Sequence, residues 1–86
     1  MKIKSYVYHT DGTKECIHFA SKSEIYAIVG NDPVSSDVIP RTKIRLSKAN
    51  LDGEMNNPFF SMDTDENQIF GVQIITSKNW INLPDS

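Results

Sequence analysis

The sequence predicts a small α+β domain: an antiparallel sheet of four to five strands, opened by an N-terminal β-hairpin, with one short helix packed on it. Three observations carry that expectation. Segments on either side of Thr10-Asp11-Gly12-Thr13 alternate apolar and polar side chains, the mark of a hairpin. A short, well-punctuated helix signal follows between Ser21 and Gly30. Period-two alternation then returns from Val38 onward.

Composition agrees. Ten isoleucines against three leucines favour strands, because β-branched side chains pack well on a pleated surface and lose rotamer freedom in helices. Residues 1–86 are expected to form a single domain with one modest core.

The hairpin register follows from face segregation. A two-residue Asp-Gly turn would pair Val7 with Cys16 and scatter the apolar residues over both faces. A three-residue loop, Thr10-Asp11-Gly12 with Gly12 left-handed, pairs Ile3 with Phe19 and Ser5 with Ile17. It gathers Ile3, Val7, Ile17 and Phe19 on one face, which a half-buried sheet requires. The other face then holds Lys2, Lys4, Tyr6, Tyr8, Lys14, Cys16 and His18.

For the helix, Ser21 is the expected N-cap and Glu24 completes a capping box. Ile25, Ile28 and Val29 make its apolar stripe, and Gly30 stops it. The stretch NDPVSSD reads as a loop. Beyond it Thr42, Ile44 and Leu46 alternate with Arg41, Lys43 and Arg45, a half-buried strand with a basic outer face; Pro40 puts its start at an edge or outside the sheet. Leu51-Asp52-Gly53-Glu54 is a turn signal. Asn57-Pro58 reads as a cap and first helical residue, making PFFSM one helical turn. Phe70, Val72 and Ile74 begin a further strand with Ile75 on its other face, and Gly71 marks a bulge or a close approach. Lys78 to Leu83 is expected to add a short edge strand containing Trp80.

Over about the first 46 residues, this order of hairpin, helix and further strands resembles the β-grasp arrangement of ubiquitin-like domains. The chain ends Leu83-Pro84-Asp85-Ser86 instead of in the diglycine that family uses for conjugation, so no functional residue is carried over.

The chemistry-bearing residues argue mainly by exclusion. A net charge of −2 implies no partner by itself, although Asn50 to Ser77 contains no base and reads as a solvated acidic stretch. Asp63-Thr64-Asp65-Glu66-Asn67 opens like a calcium loop, but Gln68 and Ile74 stand where the EF-hand needs glycine and glutamate. His9 and His18 point to opposite faces of the hairpin, so they do not share a zinc ion. Cys16 and His18 share a face without a third group to orient the imidazole or any oxyanion-hole element nearby. The four glycines are isolated, which leaves no phosphate loop. The expectation is a non-enzyme without metal or cofactor. One cysteine, no leader-like start and no long apolar run point to a cytoplasmic protein off the membrane.

Two candidate partner-binding surfaces remain. Lys4, Tyr6, Tyr8, Lys14 and His18 combine aromatic rings with positive charge on the hairpin's outer face. Phe59 and Phe60, adjacent behind Asn57-Pro58, make a second surface, since two neighbouring rings seldom both point inward. The absence of catalytic apparatus, more than any positive signal, makes a protein-binding module the expectation, such as a regulator or inhibitor of a larger complex. The alternative is a single-stranded nucleic-acid platform on the Tyr/Lys face; a small Cys/His enzyme comes third.

Overall fold

The computed structural model describes residues 2–38, 41–60 and 69–85. Strands β1 (Ile3–Tyr8) and β2 (Lys14–Phe19) form the hairpin in the three-residue-loop register, with Ile3 opposite Phe19 and Ser5 opposite Ile17. Gly12 has φ of 91°, a conformation that side chains with a Cβ resist. The Asp11 carboxylate closes the turn, accepting from the Thr13 N–H at 2.9 Å and its hydroxyl at 2.6 Å.

Helix α1 (Lys22–Val29) starts as its sequence dictates. The Glu24 carboxylate reaches back to accept from the N–H groups of Ser21 at 2.9 Å and Ala20 at 2.6 Å, satisfying donors that the first turn leaves open. At the other end the Gly30 N–H donates to the Tyr26 carbonyl at 2.8 Å. Ile25 and Val29 are buried and Ile28 packs beside them.

Three more strands follow: β3 (Val34–Val38), β4 (Lys43–Ser47) and β5 (Gln73–Ser77). The sheet has the order β2-β1-β5-β4-β3, and every pairing is antiparallel. Strand β3 corrects the expectation of a loop over NDPVSSD. It lies at the sheet edge with Val34, Ser35, Ser36 and Asp37 all exposed, so it carries no apolar alternation to read. Pro40 falls outside the described residues. Because α1 joins β2 at one edge to β3 at the other, the chain between them crosses a single face of the sheet. The element order is a hairpin, a helix and three further strands.

The core lies between α1 and that face. Ile3, Val7, Phe19, Ile44, Leu46 and Ile74 contribute from the sheet, Ile25 and Val29 from the helix, and Leu83 from the C-terminal segment. Burying one such side chain contributes roughly 1.5–3 kcal/mol before the entropy of ordering is subtracted. One polar pair sits within it: the Ser5 hydroxyl donates to Thr76 Oγ1 at 2.7 Å, and both residues are buried.

A second correction concerns the chain after β5. Lys78–Asn82 is a 3-10 helix, not an edge strand, and Ser77 Oγ accepts from the Asn79 N–H at 3.2 Å to start it. Strand β5 is flanked on both sides, by β1 and β4, so its continuation has no free edge to join. Instead Trp80 meets Tyr26 edge-on at 6.3 Å, and the Lys22 N–H donates to the Pro84 carbonyl at 2.8 Å. A third correction is at Asn57-Pro58, which opens a turn and not a helical turn: the Phe60 N–H donates to the Asn57 carbonyl at 3.2 Å. Ser61 and Met62 lie outside the described residues. Among the described residues no helix is long and apolar enough to cross a membrane.

Candidate binding face

The face of the sheet opposite α1 is built from alternate residues of each strand. Across one row, Cys16, Tyr6, Ile75 and Arg45 stand side by side on β2, β1, β5 and β4; across the next stand Lys14, Tyr8, Gln73 and Ser47. His18 pairs with Lys4, and Lys43 pairs with Ser77. The hairpin's predicted outer residues therefore continue into β5 and β4.

Tyr6 and Tyr8 are neither free nor core; both are half-buried. The Lys14 ammonium stands 4.8 Å from the Tyr6 ring centroid and 5.3 Å from that of Tyr8, bridging the two rings. Lys4 approaches the Tyr6 ring at 5.7 Å. Such cation–π contacts hold the rings and the lysine stems in place at a cost in lysine mobility.

The two surfaces that the sequence suggested separately are one. Phe59 and Phe60 both meet Tyr8 edge-on, at centroid distances of 5.0 and 5.4 Å. Asn57 makes this junction. It is fully buried, and its side-chain amide donates to the carbonyls of Tyr8 and Gly71, each at 3.0 Å. Its Oδ1 accepts from the Phe59 N–H at 3.1 Å, which turns the chain back over the sheet. The segment is tied down from the other side by backbone bonds from Asn57 to Ile69 at 2.7 Å and from Gly71 to Met55 at 2.8 Å. Gly71, with φ of 79°, is a close approach: a Cβ there would stand 3.0 Å from Glu54 Oε1.

Arg45 joins the cluster, its guanidinium 5.4 Å from the Phe60 ring centroid. Burial lowers its pKa, yet arginine remains charged at neutral pH. Among the described residues, Lys4, Lys14, Lys43 and Arg45 have no carboxylate at ion-pair distance. The acids that are paired belong elsewhere: Glu15 with His9, Asp85 with Lys22, Glu54 with Lys48 and Asp37 with Lys78. The described residues of this face therefore carry net positive charge within a chain whose net charge is −2.

Lys4, Tyr6, Lys43, Ile75, Thr76 and Ser77 line a shallow groove of about 280 Å³ on this face. A second hollow of about 390 Å³ lies at the C-terminal end of α1, against Gly30, Asp32, Lys48, Asp52 and Glu54. Both fall at or below the low end for small-molecule sites. No group of three metal-ligating side chains is brought together among the described residues, and the Asp63–Asn67 stretch lies outside them. Cys16 and His18 are exposed on the edge strand β2, and no hydrogen bond joins them among the described residues.

Of the seven site residues expected from sequence, Lys4, Tyr6, Tyr8, Lys14, Phe59 and Phe60 are brought into one patch, with His18 exposed at its rim. Sequence reasoning missed the participation of Asn57, Arg45, Lys43 and Ile75. Alternation does place Lys43 and Arg45 on an outer face, but only the β1-β5-β4 order makes that face the tyrosines' own.

Comparison with known proteins finds no matching family model, no matching curated protein and no matching solved structure.

Proposed function

We propose that this chain is a non-enzymatic protein-binding domain, a small regulator or inhibitor of a larger complex, that meets its partner with the outer face of the sheet. The observation that carries this reading is the Tyr8–Phe59–Phe60 cluster ringed by Lys14, Tyr6 and Arg45. Interface centres are enriched in aromatic residues and arginine, and here these side chains are held by one another before any partner arrives. Phe59 remains 40% exposed, so part of its ring is open to a partner.

The second reading, a single-stranded nucleic-acid platform, draws on Lys4, Lys14 and Arg45 beside the rings. Such platforms stack bases on open ring faces. Here Lys14 and Lys4 stand over the Tyr6 ring and the phenylalanines close around Tyr8, which favours the protein partner.

The test is capture from a cell extract with three proteins: wild type, a Tyr6→Ala/Phe59→Ala variant, and a control altered on the exposed helix surface, Ser23→Ala/Ala27→Ser. A protein retained by wild type and control but lost with the first variant supports the reading. Equal capture by all three overturns it. Nuclease-sensitive capture, matched by a mobility shift with single-stranded oligonucleotides that disappears at moderate salt, selects the second reading.

A further inference from the structure

Lys4 and Lys43 stand on β1 and β4, the two strands that flank β5, and line one groove with Ser77 between them. Their backbones are two strand spacings apart, about 10 Å. Among the described residues the Lys43 side chain has no hydrogen bond, ion pair or ring contact, and the Lys4 side chain has only its contact with Tyr6. Two cations beside one groove offer complementary charge to an anion.

Ser77 adds direction. Its Oγ accepts from the Asn79 N–H at 3.2 Å, leaving its own O–H to donate. Ile75 and Tyr6 add apolar surface to the groove lining. Two cations and a hydroxyl beside apolar surface suit a carboxylate on an aliphatic stem.

We propose that the Lys4–Lys43 groove is a carboxylate subsite, which takes an acidic side chain from a peptide segment of the protein partner. The proposal rests on the protein-binding reading and names the chemistry of that partner. A carboxylate is favoured over a phosphodiester by the same Tyr6 ring, which Lys4 and Lys14 both cover, so that a base following its phosphate finds no stacking surface there.

The experiment is an amide-resolved NMR titration of the full chain at low salt with acetylated hexaglutamate and, separately, hexathymidylate. Shifts from hexaglutamate are expected at Lys4, Tyr6, Lys43 and Ser77. Affinity is expected to fall about tenfold in Lys4→Glu/Lys43→Glu, a few-fold for each exposed ion pair. It should hold in Lys22→Glu/Lys78→Glu, which changes net charge equally on residues that do not line the groove. Equal weakening in both double variants would show a general charge effect and overturn the proposal. So would shifts scattered over the molecule, or tighter binding of hexathymidylate at the same amides. Loss of the hexaglutamate signal with partner capture intact sinks the subsite alone; capture indifferent to Tyr6→Ala/Phe59→Ala sinks the face.

Discussion

Tyr8 and Phe59 meet edge to face at 5.0 Å, which joins the first strand to a turn far along the chain. The contact makes the two residues unequal. Tyr8 is half-buried with two phenylalanine neighbours, whereas Phe59 is 40% exposed. Full deletion of a buried aromatic costs ~3–5 kcal/mol, and each aromatic pair adds ~0.5–1.5 beyond area. Tyr8→Ala should therefore cost about 2–3 kcal/mol and Phe59→Ala about 1. Urea midpoints check this; a Phe59→Ala loss equal to that of Tyr8→Ala would mean that Phe59 is structural and not an interface anchor.

Asn57 supports the same junction by hydrogen bonds. Asn57→Ala withdraws the donor from the Tyr8 and Gly71 carbonyls and should cost about 2–3 kcal/mol, the penalty of leaving buried acceptors unpaired. Asn57→Asp keeps the oxygen that accepts from Phe59 but sets a carboxylate oxygen against two carbonyls. It should be the more damaging substitution at pH 7, and denaturation at that pH decides the order.

Much of this architecture was legible because local periodicity reports local geometry. The segregation of Ile3, Val7, Ile17 and Phe19 selected the hairpin register that the structure shows. Ser21 with Glu24 and Gly30 marked both ends of α1. Strand β3 was hidden because its residues at 34–37 are exposed on both faces, so burial imposed no pattern on Val-Ser-Ser-Asp. The 3-10 helix after β5 was hidden because its cause is topological: both neighbours of β5 are already paired. The candidate face was legible residue by residue and not as a whole. Nothing in alternation tells that Asn57 reaches the Tyr8 carbonyl 49 residues away, and without that bond Phe59 and Tyr8 read as separate surfaces.

Gly12 tests the turn directly. Its φ of 91° is strained for any residue with a Cβ, and nothing lies within 4 Å of where that atom would stand. Gly12→Val should cost ~1–2 kcal/mol from backbone torsion alone. An unchanged denaturation midpoint would contradict the left-handed assignment.

Asp11 gives the turn an acid dependence of known sign. The Thr13 hydroxyl, then the Thr13 N–H, stabilise its carboxylate and lower its pKa below the ordinary 3.8. A depressed folded pKa means the contribution is fully present above the unfolded value near pH 4 and is lost as pH falls through the folded one. The Asp11 side-chain resonance should titrate with a midpoint below 3.8, and Thr13→Val should raise that midpoint. A wild-type midpoint at or above the ordinary value would remove the Thr13 bonds from the account.

Tyr6 separates a binding residue from a structural one most cleanly. It shares a half-buried position with Tyr8, but its ring neighbours are the ammonium groups of Lys14 and Lys4 and not packed phenylalanines. Exposed cation–π contacts contribute only about 0.5–1 kcal/mol, so Tyr6→Ala should shift the urea midpoint far less than Tyr8→Ala. At an interface the same truncation removes an aromatic anchor, and loss of such an anchor typically costs ~2 kcal/mol or more of binding, mostly as faster dissociation. Lys14→Glu should act differently, slowing association and steepening with low salt, since rim charge steers encounter more than it holds the complex. Dissociation and association rates for the two variants against the captured partner decide the matter. If Tyr6→Ala leaves dissociation unchanged while Lys14→Glu alone weakens binding, the face attracts its partner but does not grip it, and the anchor lies at Phe59.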